Sequence, residues 1–82
     1  MSLEEMKPRV MQNRLESVLE PCDLETFPLL GVLRGVAIDW LIWYRGLARP
    51  EQREAVIARL RQIEAELRRR GRNFEPYEVS EK

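Results

Sequence analysis

A chain of 82 residues has room for one domain, and a domain that small hides only about 60–65% of its unfolded surface, so its own core is marginal. Its 44% hydrophobic and 34% charged residues argue against disorder, its zero formal charge gives no reason to expect a polyanionic partner, and its lack of histidine removes the usual proton shuttle near neutral pH. The single cysteine, Cys22, excludes an intrachain disulfide, and residues 1–5 lack the basic-then-apolar order of a signal peptide, which together indicate a reducing, cytoplasmic setting.

The first helix is expected over about residues 7–20. Ser2 and Glu5 have capping-box spacing, but a helix begun there would enclose Pro8, so residues 2–6 read as a separate turn and Pro8 as part of the first helical turn. Val10, Met11, Leu15, Val18 and Leu19 share one face, and Pro21 stops the helix. After a short link, in which Asp23 or Thr26 caps the next helix, a second helix is expected over residues 28–47, opening at Pro28 and closing at Gly46 as a C-cap. The third helix is expected over residues 50–70, with Pro50, Glu51 and Glu54 in its first turn. Its apolar seam is Val56, Leu60, Ile63 and Leu67, with Ile57 on the flank. Glu64–Arg68 and Glu66–Arg70 have the spacing of ion pairs one turn apart, and Gly71 is a stop. Residues 72–82, with Phe74, Pro76 and Tyr77, read as an extended tail that either docks in a groove or frays. The fold class is all-α: a single domain, residues 1–82, of three antiparallel neighbouring helices.

The second helix carries the argument about function. Its polar residues are Arg34, Asp39 and Arg45; the two arginines lie within roughly 20° of each other on a helical wheel and Asp39 roughly 140° from Arg34. The remainder, apolar nearly all round, must be buried nearly all round. A lone membrane span is disfavoured, because Arg34 and Asp39 each cost about 2.5–3.5 kcal/mol at mid-bilayer while each Leu, Ile or Val returns only about 0.3–0.6 kcal/mol. Two flanking helices leave one side of a central helix uncovered, and Trp40, Trp43, Tyr44 and Ile42 are the side chains at risk of being stranded there. Self-association, most simply as a two-fold homodimer, would cover them. Gly31 and Gly35, four apart, would let a second helix approach closely, or would make room for a bulky neighbour within the chain. The expected interface is therefore Gly31, Gly35, Trp40, Trp43 and Tyr44.

Catalysis is not expected, and neither a cofactor nor a metal. Cys22 precedes a helix start, which lowers a thiol pKa, but Asp23 beside it opposes that, so an inert thiol is the simpler reading. Asp39 on an apolar helix reads as half of a salt bridge, with Arg34 or Arg45 of another subunit or an arginine of the third helix. There is no Gly-rich phosphate loop and no metal-ligand spacing. Charge is unevenly spread: residues 1–27 carry three basic against six acidic side chains, and residues 49–72 carry eight arginines against four glutamates, so the two segments are expected to lie together. The alternative to a protein-binding module is a small nucleic-acid-binding regulator in which Arg59, Arg61, Arg68, Arg69, Arg70 and Arg72 face phosphates.

Overall fold

The computed structural model describes residues 3–79. Three helices and no strand are present among them: α1 (Leu3–Leu19), α2 (Leu30–Trp43) and α3 (Pro50–Arg69). All three pack on one another. Met6 and Lys7 in the first half of α1 lie by Trp43 and Tyr44 at the end of α2, and Arg34 near the start of α2 meets Glu64 near the end of α3, so successive helices run in opposite directions. Ser2, the first residue of the expected turn, and the last three residues of the expected tail lie outside the described residues.

α1 starts earlier than the sequence suggests and runs through Pro8. Proline there deletes one backbone hydrogen bond in the second turn, whereas the three turns beyond it are intact and anchored, with Leu15 and Val18 buried and Val10, Met11 and Leu19 packed beside them. The link from α1 to α2 is built on Asp23. Its side chain accepts from Glu25 N–H (3.0 Å), and its carbonyl accepts from Thr26 N–H and the Thr26 hydroxyl (each 3.3 Å), so Asp23 closes a local turn instead of capping α2.

α2 is shorter at both ends than the expected 28–47. Pro28 and Leu29 remain in a turn, and no side chain caps the start at Leu29. At the other end the Tyr44 carbonyl takes both Leu47 N–H (3.0 Å) and Ala48 N–H (2.8 Å), which closes a turn around Gly46 after the helix has ended. Gly46 is not a left-handed cap, since Gly71 is the glycine with positive φ among the described residues.

α3 follows expectation more closely. Pro50 opens it, and the Gln52 side chain accepts from Arg49 N–H at 3.0 Å. Gly71 (φ +84°) ends it in a Schellman turn: Gly71 N–H donates to Arg68 O (2.9 Å) and Arg72 N–H to Leu67 O (3.1 Å). The seam Val56, Leu60, Ile63 and Leu67 is buried, as its spacing implies.

The core has two lobes. One gathers Leu15, Val18, Ala37, Trp40, Leu41, Tyr44, Val56 and Leu60 where all three helices meet. The other gathers Leu30, Leu33, Ile63 and Leu67, closed over by Leu24, Phe27 and Phe74 from the link and the tail. Trp40 fills the first lobe, with its indole N–H donating to the Met11 carbonyl at 3.0 Å and its ring 5.9 Å from that of Tyr44. No described helix is long and apolar enough to cross a membrane. At 14 residues α2 is about 21 Å long, short of the roughly 30 Å of a bilayer core.

Candidate functional site

The side of α2 turned away from the core is apolar and open. Leu30, Leu33, Ala37, Trp40, Leu41 and Tyr44 point inward. Leu29, Val32, Ile42 and Trp43 are each more than half exposed on the other side, with Val36 half-buried beside them. This is the arc that α1 and α3 do not cover, and it corrects the expected interface in two places. Trp40 (0% exposed) and Tyr44 are core residues that offer no surface. Trp43, 67% exposed, is the aromatic left for a partner. The wheel contains the distinction, since Trp40 and Tyr44 share an arc with Leu33 and Ala37 whereas Trp43 shares one with Val32 and Val36.

Gly31 is exposed and Gly35 half-buried on this outer side. A Cβ added at Gly35 would meet nothing within 4 Å, and one at Gly31 would meet only the tip of Arg72, at 3.4 Å. No bulky neighbour within the chain therefore needs either glycine.

Two charged groups flank Trp43. Asp39, one turn earlier on α2, is exposed and forms no ion pair or side-chain hydrogen bond among the described residues. Its neighbours one turn away in either direction are Gly35, Val36, Ile42 and Trp43, so no cation on α2 reaches it. Of the pairings expected for Asp39, the one with an arginine of the third helix is not formed among the described residues. Lys7 lies on the other side of Trp43: with Met6 and Val10 it lines an open apolar hollow against Trp43 and Tyr44, and it too makes no ion pair among the described residues. Sequence reasoning passes over Lys7 because nothing in the spacing of α1 shows that it faces α2.

The arginines have other partners. Arg59 reaches across to the end of α1, donating to the carbonyls of Val18 (3.2 Å) and Glu20 (2.6 Å) and to the Cys22 sulfur (3.2 Å). Arg70 donates to the carbonyls of Leu24, Glu25 and Phe27 at 2.8–2.9 Å. These two guanidinium groups reach carbonyls at the C-terminal end of α1 and in the link that follows, where the helical ladder has run out. Arg69 bridges Glu25 and Glu66 (3.2 and 3.3 Å), and Arg61 bonds Glu64 at 2.7 Å. Arg68 lies 5.4 Å from the Phe74 ring centre, and Arg72 rests by Gly31. The acidic first third and the basic last third do lie together, but carbonyls rather than carboxylates receive most of the arginine contacts between them.

Glu64, 3% exposed, is the buried charge among the described residues. It does not pair with Arg68 as its spacing suggests. It accepts from Arg34 Nε (3.2 Å) and Nη2 (3.1 Å), from Arg61, and from Tyr77 N–H (2.9 Å). Burial alone would raise its pKa; the Tyr77 N–H and the two guanidinium groups outweigh burial and hold it below the ordinary value of 4.5. Arg34 also donates to Glu75 O (3.1 Å) and lies 4.5 Å from the Phe74 ring centre. Residues 74–77 are thereby pinned across α2 and α3. No buried side-chain nitrogen or oxygen among the described residues lacks a partner. Nor do three acidic or cysteine side chains come together among the described residues as a metal ion would require.

Compared with family models, curated proteins and solved structures, the chain matches none.

Proposed function

We propose that this protein is a non-catalytic interaction module that pairs with a second copy of itself through the outer side of α2. The observation that supports this reading is Trp43, two-thirds exposed among Leu29, Val32 and Ile42 on a helix whose other side is fully buried. Large apolar side chains left in water along one side of a helix mark an association site. An exposed tryptophan with Met6 and Val10 beside it has the makeup of an interface anchor. Gly31 and Gly35 add a low stretch of backbone that no internal neighbour explains.

Sedimentation across a range of concentrations tests the reading. The wild type is expected to run as a dimer, and Trp43→Ser as a folded monomer. Gly35→Leu, whose Cβ has open space around it, is expected to weaken the dimer without unfolding the subunit. A wild type that stays monomeric at high concentration overturns the proposal.

The nucleic-acid reading has less support. Arg59, Arg61, Arg69 and Arg70 would have to leave carbonyl or carboxylate partners before binding phosphate. A salt titration of binding to duplex and single-stranded probes is expected to show only weak, sequence-independent attraction. Tight binding at physiological salt would reverse this ranking.

A further inference from the structure

We infer that the two copies are related by a two-fold axis passing beside Trp43, so that Lys7 of each subunit meets Asp39 of the other. The inference rests on the self-association proposed above and specifies its geometry. It comes from the order of groups across the open surface. The Met11 carbonyl bonds the Trp40 indole, and α1 runs against α2, so Lys7, one turn before Met11, lies toward the C-terminal end of α2. Asp39 lies one turn, about 6 Å, on the N-terminal side of Trp43. The patch thus reads cation, apolar anchor, anion, and neither charge has a partner among the described residues.

A two-fold rotation about the centre reverses that order. The rotated copy presents its anion to Lys7, its indole to Trp43 and its cation to Asp39, as an isologous contact demands. A patch with one sign of charge would repel its own image; this one attracts it. The same rotation carries the α1 edge of the second copy, with its exposed Met6, toward Gly35, where no side chain stands in the way. Lys7 therefore selects a second copy over an unrelated apolar partner, because only the copy supplies a carboxylate and an ammonium at the matching separation on either side of an indole.

Charge reversal tests this by sedimentation or dilution calorimetry, with thermal unfolding run on each variant. Lys7→Glu and Asp39→Lys are each expected to raise the dimer Kd about tenfold, because the symmetry turns two attractive contacts into two repulsive ones. The double variant Lys7→Glu/Asp39→Lys is expected to return Kd close to the wild-type value. Neither side chain has an ion-pair partner within its own subunit among the described residues, so at concentrations well below Kd, where each is monomeric, all three variants are expected to unfold at the wild-type temperature. A dimer that is lost with Trp43→Ser but indifferent to both reversals overturns the Lys7–Asp39 pairing and leaves self-association standing. So does a double variant that is no tighter than the singles. A wild type that never dimerises overturns both.

Discussion

Glu64 shows how much one side chain can organise. Its carboxylate is out of water, yet four donors from α2, α3 and the tail make its charged form the favoured one. A pKa held below 4.5 in the folded state means that this group adds stability above that pH and withdraws it as the pH falls through the folded value. Acid titration of the wild type is therefore expected to lose stability below pH 4.5 more steeply than Glu64→Gln, measured as the urea midpoint against pH. Glu64→Ala is expected to cost about 3 kcal/mol, the lower end for breaking a buried pair, because Arg34 retains some access to water. The two tryptophans make the opposite contrast. Trp40→Ala empties the centre of the larger lobe and is expected to cost about 3–5 kcal/mol. Trp43→Ala is expected to change subunit stability by no more than about 0.5 kcal/mol. Sequence alone puts both indoles in one group, because a helix apolar on every side offers no polar stripe by which to orient it. Asp39 is the one correct pointer outward. Arg34 misleads, since a buried glutamate on another helix holds it at the edge of the core.

At the scale of the elements, the seam of α3 and the inward face of α1 are legible because each is a clean stripe against a polar background. The ends of the helices are less so. Pro8 reads as a boundary on local grounds, and packing beyond it overrides one missing hydrogen bond. Gly46 marks the end of α2 by composition, but Tyr44 turns inward and its carbonyl ends the helix first. Gly71 is a true stop, because a Schellman turn needs a left-handed residue and glycine supplies it without strain. Gly71→Ala is expected to cost about 1 kcal/mol in thermal unfolding. The carbonyl contacts of Arg59 and Arg70 leave no trace in spacing, since their acceptors are backbone atoms some forty residues away. Arg59→Ala is expected to destabilise the fold by about 1–3 kcal/mol. Arg59→Lys is expected to recover only part of that, because an ammonium cannot span the Val18 and Glu20 carbonyls as the guanidinium fork does.

The whole molecule is thin. Its extents are 43 × 26 × 19 Å, and its radius of gyration of 13.3 Å exceeds the roughly 12 Å expected for a compact chain of this length. Two helix diameters fill the shortest dimension, so α2 has company on its inner side and little on its outer side. That shape keeps Trp43 in water in the isolated subunit. Its fluorescence is expected to move to shorter wavelength as protein concentration rises and the pair forms, with no such shift in Trp43→Ser.

The grip of α3 on the link between the first two helices has a bearing on how the chain comes off the ribosome. The carbonyls of Val18, Glu20, Leu24, Glu25 and Phe27 wait for donors 39–46 residues downstream. A nascent fragment ending before Pro50 has only the local Asp23 turn to hold that segment, and it also lacks the α3 side of each core lobe. Such a fragment should stay unstructured by circular dichroism, and folding should be concerted, arriving only once the final third has cleared the exit tunnel.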